Sequence, residues 1–279
     1  MVKYNFKFFP IFNVKILIMD IIFSADDFGK NTLVNENILK LVRKKKIDRV
    51  SVMVNGHFSD EEKKQLIKAK VKLDLHLETK NYFYKEGNRG FNFLWVYYLG
   101  RDDIIDKEEQ VGTGGSRPAH TQPVRKRIWP ISVEEVRKDW QAQIEKFIKI
   151  FGQKPDGLSS HEHVHFFPPY FSLFLDLCQE SKINFVRFGG KGIKNQYSPI
   201  GLILAFLNQI NRRKFKRFQS KYLRLKSTDY LMSLDWLKNP VEYSKRMAKI
   251  AEKNQKKSIE LVCHLDKQKE YEFLKNMKK

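Results

Sequence analysis

The chain has 279 residues, of which 42% are hydrophobic and 13% aromatic, so it has enough apolar surface for a packed core and disorder is excluded as its default state. Its 53 Lys and Arg residues against 32 Asp and Glu give a net charge of +21, which favours an anionic partner. Cys178 and Cys263 are the only cysteines, too few for a disulfide framework, and they indicate a reducing compartment.

The first 18 residues contain two apolar runs that charged residues and Pro10 interrupt. Neither run is long enough for a membrane span or for the core of a signal peptide. We therefore expect a cytoplasmic protein with an N-terminal extension at 1–18 and a single domain at 19–279. The sequence leaves open whether Met1 or Met19 is the start.

Strand-like and helical patterns alternate along the chain and predict an α/β fold with parallel strands. The predicted strands are residues 21–25, 49–54, 71–77, 161–165, 183–188 and 259–264, and the predicted helices are residues 31–46, 60–70, 132–150, 168–180, 200–226 and 241–256.

Two groups of residues predict a single-metal hydrolase site. Asp26 and Asp27 end the first predicted strand, and the histidines His161, His163 and His165 alternate much later. In an extended segment, these three imidazoles point to one face. Imidazole nitrogens and carboxylate oxygens together suit a divalent cation, and a catalytic site needs about three protein ligands.

Two further histidines stand near the ends of predicted strands. His76 alternates with three leucines, so we expect its side chain on the face opposite to theirs, where it can join the site. His264 ends the last predicted strand. The neighbouring Cys263 points away from His264 in a strand, which argues against a Cys–His nucleophilic pair. His57 and His120 are interpreted as loop or surface residues.

Two segments carry weaker signals. Residues 80–130 form an irregular loop in which the Gly112-x-Gly114-Gly115 cluster lacks the preceding strand and following helix of a phosphate loop. The segment 200–226 is apolar at first and basic later, typical of an amphipathic helix. Two interpretations stay open for its basic part, 212–226: a solvated helix end, or a contact with a membrane surface or an anionic glycan.

Seven motifs, in order along residues 22 to 264, resemble the YdjC-like carbohydrate deacetylases, which remove N-acetyl groups from chitooligosaccharides. The motifs are Ala25-Asp26-Asp27-Phe28-Gly29 with Asn35, Met53-Val54-Asn55-Gly56, Leu75-His76-Leu77-x-Thr79, Phe151-Gly152-x-Lys154-Pro155, His161-x-His163-Val164-His165-x-x-Pro168, Val186-Arg187 and Cys263-His264.

The resemblance implies a variant TIM-type (β/α) barrel and a carbohydrate N-deacetylase, which is a hydrolase acting on a linear amide. It implies one divalent metal, Mg²⁺ with Zn²⁺ or Mn²⁺ as alternatives, bound by Asp27, His76 and His161. Asp26 maps onto the general base, which takes a proton from a metal-activated water.

The remaining site assignments follow from the same resemblance. His264 or His163 would protonate the departing amine, and we favour His264. His163 and His165 would line the sugar pocket or orient the metal ligands, and Arg187 is assigned to substrate binding. Two positions depart from the family: Ser159 stands where Asp is usual, and Leu265-Asp266 where Pro-Gly is usual.

The expected partner is an N-acetylated sugar of unspecified identity and length. One alternative is a catalytically impaired member of the fold that binds a glycan or glycolipid, which the departure at Ser159 motivates. The other is a membrane-peripheral, polyanion-binding protein. No nucleic-acid motif stands out, and the oligomeric state is open, a homodimer included.

Overall fold

The computed structural model describes residues 20–79, 133–189, 191–192, 199–236 and 257–277. The predicted N-terminal extension at 1–18, the irregular loop at 80–130 and the helix at 241–256 lie outside these residues. His120 lies outside them as well.

The described elements alternate between strands and helices. In chain order they are β1 (Asp20–Phe28), α1 (Thr32–Arg43), β2 (Arg49–Val52), α2 (Asp60–Ala69), β3 (Lys72–Leu77), α3 (Val133–Phe151), β4 (Gly157–Ser160), a 3₁₀ segment (His161–Phe166), α4 (Pro168–Glu180), β5 (Lys191–Gly192), α5 (Pro199–Lys221), β6 (Tyr230–Ser233), a second 3₁₀ segment (Leu234–Trp236), β7 (Ser258–Cys263) and α6 (Gln268–Asn276).

The strands form one parallel sheet in the order β4-β3-β2-β1-β7-β6-β5. Isolated parallel bridges join Val186 to Leu158 in β4 and Phe185 to Lys226, which precedes β6. The chain around Phe185 therefore lies between the two ends of the sheet and curls it. The predicted parallel α/β fold is confirmed, and its assignment to a TIM-type barrel stays a prediction.

The two faces of the curled sheet differ in chemistry. One face is apolar: Phe23, Leu75 and Leu261 are buried in a hydrophobic core that includes Ile38 of α1 and Trp140 of α3. The other face carries buried polar side chains that contact one another; they are Asp26, Arg49, Ser51, Asp74, His76, Ser159 and Glu260. Because strand side chains alternate between faces, β1, β2, β3, β4 and β7 contribute to both layers.

Two predicted strands are wrong. Residues 161–165 form a 3₁₀ segment in which Glu162 and His163 adopt left-handed φ values of 52° and 57°. The backbone N–H of His165 donates to Ser160 Oγ at 3.0 Å, which turns the chain back directly after β4. The three histidines therefore do not share one face. Residues 183–188 form isolated bridges only.

A tight turn follows Asp27, whose φ of 67° is unusual for a residue with a side chain. Asn35 Oδ1 accepts a hydrogen bond from Gly29 N at 2.7 Å, and Asn35 Nδ2 donates to His57 O at 2.9 Å. A Cβ atom on Gly56 would stand 2.2 Å from Gly29 O. Gly56 therefore permits the close approach of two chain segments that holds Asp27 in place.

Gly56→Ala should lower the free energy of unfolding by about 1–3 kcal/mol, because the added methyl group must displace the Gly29 backbone. Urea denaturation measures the change. The matched control is Gly152→Asn, since Gly152 has a φ of 67° that Asn tolerates and nothing within 4 Å of a built Cβ. Equal midpoints for Gly56→Ala and the wild type would contradict the packing argument.

Candidate metal centre and catalytic site

Three predicted ligands come together at the ends of three structural elements. Asp27 lies near the end of β1, His76 lies near the end of β3 and His161 follows β4 directly. Asp27 Oδ1 lies 3.4 Å from His76 Nε2 and 3.0 Å from His161 Nδ1. One ligand atom from each residue lies within 4.8 Å of the others, so this cluster can hold a metal ion.

The left-handed backbone at Asp27 explains how two consecutive residues serve one site. In a regular strand, Asp26 and Asp27 would point to opposite faces. The strand pairing shifts between Ala25 and Phe28, and Asp27 has a φ of 67°. This bulge lets Asp27 reach the histidines while Asp26 stays on the polar face.

Ser159 gives His76 a hydrogen-bonding partner. Its Oγ lies 2.8 Å from His76 Nδ1 and 3.3 Å from Ser51 Oγ. The bond occupies one ring nitrogen, so the other, Nε2, faces Asp27. Ser159 stands where the resemblance implies an Asp, and its hydroxyl group still orients the imidazole, so the departure does not leave His76 without an orienting partner.

Asp26 forms a buried ion pair with Arg187. The guanidinium donates from Nη1 to Asp26 Oδ2 at 2.5 Å and from Nη2 to Asp26 Oδ1 at 2.7 Å. Its Nε donates to Glu260 Oε1 at 2.9 Å, and Nη2 also reaches Ser51 Oγ at 3.2 Å. Asp26, Arg187 and Glu260 are almost wholly inaccessible to solvent. The guanidinium thus joins two carboxylates inside the curled sheet.

The electrostatics keep both aspartates ionised. Burial opposes the charge on Asp26, but the charge and hydrogen bonds of Arg187 outweigh it and hold the pKa well below its ordinary value. Burial also opposes the charge on Asp27, and the hydrogen bonds of His161 and His76 keep its pKa low. Burial likewise disfavours a charged His161, yet its bond to Asp27 raises the pKa of His161 to about 9.

His163 and His165 lie away from the three clustered donors. Burial and the charge of Arg187 lower the pKa of His163 to about 3, so it is neutral. His165 is fully buried; its Nδ1 lies 2.6 Å from Ser160 Oγ and its Nε2 lies 3.0 Å from Arg187 O. These contacts hold the chain on both sides of the site, which favours a positioning role for His165 over contact with a sugar.

His264 follows β7 beside Asp26, since Ala25 pairs with Cys263 in the strand register. Its Nδ1 lies 3.9 Å from Asp235 Oδ2. Cys263 is fully buried in the hydrophobic core. His57 is exposed, which confirms its surface assignment.

Lys30 connects Asp27 to a position where the sequence departs from the family. Its Nζ lies 3.2 Å from Asp27 Oδ2 and 3.0 Å from Asp266 Oδ2. The second oxygen of Asp27 is thereby occupied, while Oδ1 faces the two histidines. Asp266 thus helps to hold the Lys30 ammonium group beside Asp27.

Sequence reasoning missed four charged residues near the site, namely Lys30, Glu78, Asp235 and Glu260. Glu260 had a usable signal: it is acidic within an apolar strand and in phase with His264. Asp235 follows β6, a strand that the sequence analysis did not predict, so nothing marked it. Burial raises the pKa of Glu78, and the nearby His161 and His76 partly offset this effect.

Two curated relatives are similar to parts of the chain. A carbohydrate deacetylase from Xenopus laevis is 23% identical over 60% of this chain and 50% of its own length. A chitooligosaccharide deacetylase from Escherichia fergusonii is 25% identical over 58% of this chain and 57% of its own. The chain therefore spans only about half the length of the curated relatives it matches.

A solved structure shows the same fold. It is a protein from Enterococcus faecalis to which cellobiose-phosphate cleavage has been provisionally assigned, and it is 16% identical with a TM-score of 0.56 over 92% of this chain and 90% of that one. The model of the family described as YdjC-like protein matches residues 20–276. Because this match covers nearly the whole chain, the protein belongs to the YdjC-like family.

Proposed function

We propose that this protein is a metal-dependent hydrolase that removes N-acetyl groups from an amino sugar or oligosaccharide. The observation that carries the proposal is the buried Asp26–Arg187 pair beside the Asp27, His76 and His161 cluster. Membership of the YdjC-like family and two relatives named as carbohydrate deacetylases support it. We further propose a variant TIM-type barrel, a cytoplasmic location and an N-acetylated sugar as partner.

The donor set of the cluster fits a divalent cation. One carboxylate oxygen and two imidazole nitrogens provide three protein ligands and leave room for solvent or substrate. A cation bound there would polarise the acetamide carbonyl and make a nearby water molecule more acidic. We retain Mg²⁺ as the proposed cation, with Zn²⁺ or Mn²⁺ as alternatives; of the three, Zn²⁺ is the ion that two imidazole ligands suit best.

Asp26 is the proposed general base. It is ionised, and its Oδ2 lies 3.7 Å from His76 Nε2, next to the metal cluster. The bidentate bond with Arg187 fixes the orientation of the carboxylate, which supports proton transfer at a defined position. Arg187 is itself buried and engaged by two carboxylates, so we propose that it positions Asp26 rather than binds substrate.

His264 is the proposed acid that protonates the departing amine. It follows the last residue of β7 at the level of Asp26 within β1, and Asp235 faces its Nδ1. Its backbone N–H donates to Glu270 Oε2 at 2.7 Å, which ties the residue to α6. Burial raises the pKa of Glu270 to about 7, although His264 and Lys267 partly offset this effect. His163 is kept neutral by its low pKa and is therefore the weaker choice.

Asp26→Asn should reduce acetate release from N-acetylglucosamine oligomers by at least about 100-fold, because the variant lacks the proposed base. Metal binding should persist, since the three clustered donors are unchanged. The matched control is Asp60→Asn, an exposed carboxylate on α2. Circular dichroism establishes that each variant is folded. Full activity in folded Asp26→Asn would remove Asp26 from the proposed mechanism.

His161→Ala should abolish high-affinity binding of Mn²⁺ in calorimetry, because one of three ligands is lost. Ser159→Ala should weaken binding by roughly 10–100-fold, the usual cost of losing the partner that orients a ligand. His57→Ala, a change at an exposed histidine, should leave the affinity unchanged. Unchanged affinity in His161→Ala would refute its role as a ligand.

Glu270→Gln should remove a pH-dependent loss of stability. The pKa of Glu270 is raised from 4.5 to about 7 in the folded protein, so its stabilising contribution is complete below pH 4.5 and is lost as the pH rises through about 7. The free energy of unfolding of the variant, relative to that of the wild type, should therefore increase by up to about 3 kcal/mol from acidic to alkaline pH. Urea denaturation of both proteins at one pH below 4.5 and at one pH above 7 measures this increase. A stability difference between variant and wild type that is the same at both pH values would contradict the raised pKa of a buried Glu270.

A further inference from the structure

Helix α5 presents a continuous exposed face that the proposed chemistry does not use. Three apolar side chains, Leu202, Phe206 and Ile210, are 47%, 66% and 47% exposed. The same face continues with exposed Arg213 and Arg217. In an α-helix these five residues lie within an arc of roughly 80°, so they form one stripe that is apolar in its first half and basic in its second.

The opposite side of α5 is fixed to the protein. Leu204, Leu207 and Phe215 are buried there, and the centroids of the Phe215 and Phe188 rings are 4.4 Å apart. Asn211 Nδ2 donates to Phe166 O at 2.6 Å, which joins α5 to the segment that carries His161. The helix is thus packed against the protein on one side, and its stripe is exposed on the other.

The charge on this helix has one sign only. Residues 199–221 contain no Asp or Glu, and the basic half also includes exposed Lys214, Lys216 and Lys221. Among the described residues, no helix is long and apolar enough to cross a membrane. A short apolar stripe that leads into a basic stripe instead suits a helix lying in the surface of a bilayer.

We infer that α5 docks this protein on a membrane surface rich in anionic lipid. Leu202, Phe206 and Ile210 enter the boundary between headgroups and acyl chains, while Arg213 and Arg217 bind anionic headgroups. A second copy of the chain fits less well, because each copy carries a net charge of +21 and two copies repel each other, whereas an anionic lipid surface attracts the basic residues. The inference does not depend on the proposed deacetylation.

Vesicle sedimentation tests the inference with the full chain. Wild-type protein should bind phosphatidylcholine vesicles that contain phosphatidylglycerol, and bind pure phosphatidylcholine at least about tenfold more weakly. Two triple variants divide the stripe: Leu202→Gln, Phe206→Gln, Ile210→Gln, and Arg213→Gln, Arg217→Gln, Lys221→Gln. Each variant should bind the vesicles that contain phosphatidylglycerol at least about tenfold more weakly than the wild type does at physiological salt.

Matched controls change the same residue types on other surfaces. The apolar control is Leu33→Gln, Ile67→Gln, Ile148→Gln, and the basic control is Lys64→Gln, Lys68→Gln, Lys149→Gln, all at exposed positions. Both should bind as the wild type does, which would separate docking by α5 from general adsorption of a basic protein. Circular dichroism confirms folding of every variant.

Three outcomes would overturn the inference. The first is an absence of vesicle binding by the wild type. The second is adsorption by net charge alone. It would show as an equal loss of vesicle binding in the basic control and the α5 basic variant, or as unchanged vesicle binding in the α5 apolar variant. The third is a wild-type dimer in light scattering that the apolar variant converts to a monomer, which would assign the stripe to a second copy. Vesicle binding is measured without substrate, so a failed deacetylation assay does not affect the result.

Discussion

The buried charge network of Asp26, Arg187 and Glu260 is the constraint on which the site depends. A charge removed from water must be paired, and removing one partner of a buried pair costs roughly 3–5 kcal/mol. Arg187 satisfies this requirement by bonding to carboxylates on β1 and β7. A second buried pair, Arg49 and Asp74, joins β2 to β3 nearby. The curled sheet therefore encloses a polar layer whose members fix one another's positions.

Two adjacent aspartates acquire different environments from this arrangement. Asp26 faces Arg187, while the left-handed turn at Asp27 directs the next side chain toward His76 and His161. The Asp26 carboxylate is thus oriented by the guanidinium of Arg187, and the Asp27 carboxylate is available to a metal ion. The proposed hydrolysis needs both a positioned proton acceptor and a Lewis acid within a few ångströms of each other. The bulge after Ala25 supplies that proximity without a long insertion.

Local patterns predicted the parts of this structure that depend on local physics. Alternation in Val71–Leu77 predicted both the β3 strand and the side on which His76 lies, because strand side chains alternate strictly. Sequence patterning failed where a particular side-chain hydrogen bond, local or distant, decides the outcome. The His161–His165 alternation resembles a strand, but the bond from His165 N to Ser160 Oγ and two left-handed residues fold it into a turn. The pairing of Arg187 with Asp26 spans 161 residues and leaves no local signal.

We propose that Asp27, and not Asp26, joins His76 and His161 in binding a cation while Asp26 stays paired with Arg187. Anomalous diffraction from crystals soaked in Mn²⁺ would locate the bound ion. This assignment predicts a peak about 2.2 Å from the Asp27 carboxylate and from one nitrogen of each histidine, with the Asp26–Arg187 pair intact. A peak coordinated by Asp26 in place of Asp27, or Mn²⁺ bound elsewhere with this cluster unchanged, would contradict it.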